Sequence, residues 1–237
     1  MIHFDTFIAE EELTEGVYDP GILKAFFTAG GPGSGKSHVS GRAGLGKFSP
    51  LGIKIVNSDA QYEKLLDDAK MEMTPENIFS PKGQEIRKRA KEMTQAMRSG
   101  YIDGRLGLLI DGTGKDYEKI QLTSNSLRKV GYDTYMIFVN TSLDTALERN
   151  AKRDRTVPEP IAVQGWKEVQ SNMGKFSQAF RQNFIVVDNN DSEEDVMTPV
   201  FKQIKGLLRK KVKSPIAHQW IEMEMKRRGI TKKPKGF

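Results

Sequence analysis

The chain contains no cysteine and only three histidines among its 237 residues. Disulfides and thiolate metal sites are thereby excluded, and a structural zinc site is not expected. No run approaches the 18 or so uninterrupted apolar residues of a membrane span. Nor does a charged start lead into an apolar run with a small-residue cleavage site, so a soluble, intracellular protein is expected. Internal repeats are lacking, and nothing of low complexity precedes the final "TKKPKGF". The length is that of one domain with extensions. Acidic residues are scarce in one place. Residues 202–237 hold 12 Lys or Arg against Glu222 and Glu224, a net +10, which leaves −4 for the rest of a chain whose overall charge is +6. The high pI thus describes a basic C-terminal arm and not the body.

What is present is an alternation. Apolar runs rich in Ile, Val and Phe occur at "ILKAFFTA", "LGIKIVN", "LGLLIDG", "YDTYMIFVN" and "NFIVVDNN", each bounded by turn residues as buried strands are. Helical patterns lie between them: "GQEIRKRAKEMTQAMRSG" ending at Gly100, "DYEKIQLTSNSLRKVG" ending at Gly131, and "SLDTALERNAKR" with Ser142 as its cap. Alternating strands and helices predict an α/β fold, a five-stranded parallel sheet with helices on both faces. Val196, Val200, Ile204, Leu207 and Leu208 recur at helical spacing after the fifth strand, and a last helix is expected behind Pro215.

Four constellations carry chemistry. The first is "GGPGSGKSH", directly after the first strand. Gly30, Gly35, Lys36 and Ser37 satisfy the G-x-x-x-x-G-K-[ST] phosphate-loop pattern. Backbone N–H groups from Gly30, Gly31, Gly33, Ser34, Gly35, Lys36, Ser37 and His38 wrap a nucleotide phosphate, Lys36 supplies charge, and Ser37 ligates magnesium. "GRAGLGK" at 41–47 and "GTGK" at 112–115 fail that spacing and read as turns. The second constellation is "VNSDAQY": Asp59, at the carboxyl end of a strand, suits a general base for an incoming hydroxyl. Ser58 and Gln61 also have capping-box spacing, which would make Asp59 a first-turn helix residue; both readings stand. The third is "LLIDGTG", where Asp111 suits the magnesium shell or the acceptor, the alternative being an Asp-Gly turn. The fourth is "ERNAKRDRTVPEP". Arg149 and Arg153 share a helical face and suit a lid that closes over a transferring phosphoryl group. The alternative is a solvated face on which Glu148 pairs with Lys152.

In this order the elements resemble the 5'-hydroxyl kinase domain of phage polynucleotide kinases and, more distantly, the zeta-toxin kinases. The resemblance spans about Ala25 to Met173 through "GPGSGKS", "NSD", an Asp-Gly-Thr in place of Asp-Thr-Asn, and "ERNAKR" followed by "VPEPIAVQGWKEVQSNM". It implies a P-loop NTPase fold of the kinase type with an arginine-bearing lid and ATP and Mg2+ as cofactors. Lys36 and Ser37 would take phosphate-loop roles, Asp59 that of general base, and Arg149 and Arg153 those of lid arginines. The implied layout is an N-terminal extension at 1–20, a kinase domain at 21–212 and a basic helical arm at 213–237, with no phosphatase domain following. Two departures fall on the acceptor side: Tyr62 stands where the family has an arginine, and Gly114 where it has an asparagine. These are the positions at which acceptor identity is expected to be set. The start, "MIHFDTFIAEEELTE", resembles the capsid-targeting peptide of internal head proteins in large tailed phages, with Ile8-Ala9-Glu10 as the cleavage triplet. The alternative there is a short amphipathic helix docked through Phe4, Phe7 and Ile8.

These features imply ATP-dependent transfer of a phosphoryl group to a hydroxyl of a nucleic acid or nucleotide. A kinase of a nucleotide sugar is the enzymatic rival. A packaged, DNA-associated nucleotide-binding protein, touching DNA non-specifically through its basic arm, is the reading from another class. Location follows accordingly: cytoplasmic, in the host if phage-encoded, or packaged in a virion. A switch GTPase is disfavoured because no Asn-Lys-x-Asp tetrapeptide is present.

Overall fold

A computed structural model describes residues 16–40, 52–152, 157–190 and 197–232. The proposed targeting peptide, "GRAGLGK", Arg153 and Val196 lie outside the described residues. The five apolar runs are all strands: β1 (Lys24–Ala29), β2 (Ile53–Val56), β3 (Gly107–Ile110), β4 (Asp133–Asn140) and β5 (Phe184–Asp188). They form one sheet in the order β2-β3-β1-β4-β5, and every neighbouring pair is parallel. The alternating side chains of these strands fill two cores. Ala25, Phe27, Leu108, Met136 and Phe138 face one side, beneath α5 (Tyr117–Lys129), α7 (Glu159–Phe180) and α9 (Pro215–Arg228). Phe26, Leu109, Tyr135, Ile137 and Val139 face the other, beneath α1 (Lys36–Ser40) and α8 (Met197–Leu208).

The remaining helices are α2 (Ser58–Asp68), α3 (Pro75–Phe79), α4 (Pro81–Asp103) and α6 (Leu143–Ala151). The crossover from β2 to β3 therefore contains a helical hairpin, in which Tyr62 and Leu66 of α2 pack on Ala90 of α4 with a small core of their own. Two sequence expectations are corrected here. α4 does not stop at Gly100 but continues for three residues to Asp103, with Gly104 as its cap, because Tyr101 and Ile102 pack against the main core and hold the last turn in place. The cap of α2 is Asn57, one residue before the predicted Ser58; its side chain accepts from the Asp59 amide. Asp59 occupies the first turn, as one of the two readings had it.

The C-terminal segment is anchored to the sheet. Ala217, Ile221 and Met225 of α9 are buried in the first core. Lys24, buried at the start of β1, donates to the carbonyls of Leu207 (2.9 Å), Leu208 (2.8 Å) and Lys210 (2.6 Å), capping the end of α8. Burial pulls its pKa down to about 8, an effect that Asp133 opposes. Lys24→Met keeps the apolar stem but strips donors from three carbonyls, so it should lower the unfolding free energy by about 3 kcal/mol. Denaturant titration monitored by circular dichroism reads this directly.

Candidate active site

Register places the site. Phe27 of β1 and Val56 of β2 both pair with Ile110 of the intervening β3. The residues that follow, Thr28, Asn57 and Asp111, therefore come level at the carboxyl end of the sheet, where open α/β sheets bind ligands. Asp111 is the node. Its Oδ1 accepts from Thr28 Oγ1 at 2.6 Å and pairs with Lys36 Nζ at 2.6 Å, and its Oδ2 accepts from Asn57 Nδ2 at 2.9 Å. The side chains of Lys36 and Asp111 are 14% and 8% exposed, so the ion pair is largely shielded from water.

The Asn57 amide carries the chain of bonds further. Its Oδ1 accepts from the Asp59 backbone N–H at 2.7 Å, so one side chain joins the Lys36–Asp111 pair to the first turn of α2. The Asp59 carboxylate itself is 61% exposed and meets Arg87 of α4 at 3.1 Å.

The glycine-rich loop is shaped by its neighbours. Gly33 has φ +75°, and a Cβ there would strike the carbonyl of Ala146 in α6, so only glycine lets the loop pass. The Gly30 amide donates to Thr113 O at 2.9 Å and the Ser34 amide to Gly31 O at 3.1 Å. Ser34 O accepts from Asn189 Nδ2 at 2.7 Å. The amides of Gly33, Gly35 and Ser37 meet no acceptor among the described residues. They form a concavity of backbone donors suited to an anion. Ser37 and His38 are exposed at its mouth.

α6 begins as the sequence predicts, with the Ser142 hydroxyl accepting from the Thr145 amide. Glu148 and Lys152 do pair on its outer face, at 2.6 Å. Arg149 nevertheless turns the other way and donates to Asn189 O at 2.6 Å, beside the loop at Gly35. The solvated-face reading therefore describes Glu148 and Lys152 but not Arg149.

Tyr62 and Gly114, the two positions that depart from the resemblance, are both buried. Tyr62 is 1% exposed, held inside the α2–α4 hairpin. Gly114 is buried at φ +84°, and a Cβ there would lie 2.5 Å from that of Ala29. An asparagine has no room at that position. The "GTGK" turn is more than a connector, since Thr113 O supports Gly30, and Asn172 of α7 fixes the turn through the carbonyls of Gly114 and Lys115. Sequence reasoning missed Thr28, Asn57, Arg87 and Asn189. Asn57 alone carried a signal, as a capping residue type immediately before a helix.

Residues 26–175 match the AAA domain family. The chain belongs to that family. The match spans β1 to most of α7, and so takes in every site residue described above except Asn189. No curated protein matches the chain significantly. Among solved structures, the PezAT chromosomal toxin-antitoxin system of Streptococcus pneumoniae is similar at 16% identity and TM-score 0.55, covering 94% of this chain and 95% of that one. The AvrRxo1-ORF1:-ORF2 complex with ATP is similar at 14% identity and TM-score 0.53, covering 85% and 70%. Both likenesses are of fold alone, an α/β architecture that here has a five-stranded parallel sheet. No helix among the described residues is long and apolar enough to cross a membrane.

Proposed function

We propose that this AAA domain protein transfers the γ-phosphoryl group of ATP to a hydroxyl of a nucleotide or nucleic acid. The observation that carries the reading is the Asn57 bridge. It joins the shielded Lys36–Asp111 pair to the backbone N–H of Asp59, whose exposed carboxylate sits in the first turn of the helix that follows β2. An exposed carboxylate on the same bonded chain as the Lys36–Asp111 pair can serve a second ligand, which hydrolysis alone does not require. Asp59 accepts the proton of the acceptor hydroxyl as its oxygen bonds to the γ-phosphorus, while the bond to the ADP oxygen breaks. Lys36 leaves Asp111 to meet the phosphates, and Arg149 and Arg153 contribute charge over the transferring group.

The donor set fits magnesium. No group of three or more His, Asp or Glu that could hold a metal exists among the described residues, and the ligands proposed are Ser37 and Asp111. One carboxylate and one hydroxyl, completed by phosphate oxygens and water, is the pattern Mg2+ favours. When bound, Mg2+ would offset negative charge on the phosphates. A similar fold was solved with ATP, which agrees with that nucleotide as donor.

Lys210 and Lys211 lie at the end of β1 opposite the phosphate loop. Lys24, at the start of β1, binds the end of α8 next to Lys210 and Lys211, whereas the phosphate loop follows the other end of β1. The two lie apart by roughly 17 Å, the length of a six-residue strand.

The reading is tested with ATP labelled in the γ-phosphate. The acceptors are 5'-hydroxyl DNA and RNA, nucleoside monophosphates, nucleotide sugars and buffer alone. Label on a nucleotide or nucleic-acid hydroxyl is expected; label appearing only as free phosphate overturns it.

A further inference from the structure

We infer that the cleft at the amino end of β4 and β5 is a second ligand site, which holds a small polar molecule by its phosphate monoester. Asp133 and Thr134, on its lining, open β4, and Asp133 pairs with Lys24 at the start of β1. The glycine-rich loop follows the other end of β1, so the length of the strand, roughly 17 Å, separates the two sites. The cleft has a volume of about 690 Å³, within the range that small-molecule sites occupy. Its lining is mainly polar: Arg128 of α5, Thr134, Gln178 near the end of α7, and Arg181, Gln182 and Asn183 of the turn before β5. Such walls suit a hydrophilic metabolite and not a hydrocarbon.

Arg128 is half-buried and held before any ligand arrives. Its Nε donates to Thr134 Oγ1 at 2.7 Å, and its guanidinium lies over the ring of Phe180, 5.4 Å from the centroid, a ring fixed in the core. Nη2 reaches Ala179 O only at 3.4 Å, and Nη1 meets no acceptor among the described residues. Burial pushes the guanidinium below its ordinary pKa, and no carboxylate offsets that cost: none of the ion pairs among the described residues includes Arg128 or Arg181. Asp133 is already engaged, facing Lys24 and Lys213 and accepting from the Lys213 amide. Arg181 adds a second cation at the exposed rim. Its φ is +50°, a conformation that glycine adopts freely and that strains a residue with a side chain. Ending α7 there is better served by glycine; arginine brings a guanidinium to the cleft. Two guanidinium groups without a counter-carboxylate suit a dianion, and the fork of each matches phosphate oxygens. The side-chain amides of Gln178 and Gln182 remain for the neutral part of the ligand.

The test uses the full chain saturated with a non-hydrolysable ATP analogue and Mg2+, which fill the glycine-rich loop. Ribose 5-phosphate and ribose are the probes, titrated by calorimetry and by amide chemical shifts in NMR spectra. The wild type should bind ribose 5-phosphate at least tenfold more tightly than ribose, and the shifts should centre on Thr134, Gln182 and Asn183. Arg128→Gln should weaken ribose 5-phosphate at least tenfold and Arg181→Gln about fivefold, while affinity for ribose stays the same. Arg181→Gly, which relieves the backbone while removing the guanidinium, should weaken it as Arg181→Gln does. Retained affinity for the ATP analogue checks folding, and if Arg128→Gln fails that check the two substitutions at the exposed Arg181 decide. The inference is overturned if the phosphate brings no gain in affinity, if the shifts are confined to residues at the carboxyl end of the sheet, or if both Arg181 variants bind ribose 5-phosphate as the wild type does. None of these outcomes bears on the proposed transfer, which is read separately by the labelled-ATP assay.

Discussion

Asp59→Asn should lower kcat for phosphoryl transfer by 100-fold or more, within the roughly 10²–10⁴-fold that a positioned general base contributes. ATP affinity should stay within about twofold of the wild type. The substitution is informative because little else depends on the carboxylate. The helix cap uses the Asp59 backbone N–H and the Asn57 side chain, both retained in the variant. An asparagine oxygen can still accept from Arg87, and the loss of one exposed charge in the first helical turn costs at most about 1 kcal/mol. A large kinetic defect in a folded, ATP-binding protein therefore reports proton transfer. Steady-state assays paired with equilibrium binding decide it, and a kcat within threefold of wild type removes Asp59 from the mechanism.

Asp111→Asn should produce two effects of opposite sign. Transfer should fall by about 10²–10³-fold, the scale seen when one charged element of a preorganised site is lost. Nucleotide binding measured in a chelator, without divalent cation, should instead tighten by roughly tenfold. The reason lies in the 2.6 Å pair with Lys36, which a phosphate has to break before that ammonium becomes available. A neutral amide releases Lys36, and a tenfold gain corresponds to about 1.4 kcal/mol. The isosteric side chain can keep its bonds to Thr28 and Asn57 by reorienting, so the fold should survive. Weaker metal-free binding would show that Asp111 does not restrain Lys36.

Much of the architecture was legible because its causes are local. Five apolar runs alternating with helical periods require a parallel sheet, and the phosphate-loop spacing names its own position after β1. Ser142 and Pro215 marked helix starts through cap chemistry and a fixed φ. Where local rules failed, a distant contact had intervened. Gly100 resembles a helix stop, yet Tyr101 and Ile102 extend the helix by packing on the core. Arg149 had both a solvated-face and an anion-facing reading, and Asn189, 40 residues on, holds it at the loop.

The sequence by itself determined the class of fold, the glycine-rich loop at Gly30–Ser37 and the short list of carboxylates and arginines that could act around it. Those follow from spacing within a few residues. Only the tertiary structure decided how they are connected. Sheet register brings Thr28, Asn57 and Asp111 level from three strands, and helix packing buries Tyr62 while bringing Arg87 to Asp59. Partners 83, 54 and 28 positions apart leave no periodic trace in one chain, since the pairing energy depends on where the backbone folds and not on how the residues are spaced.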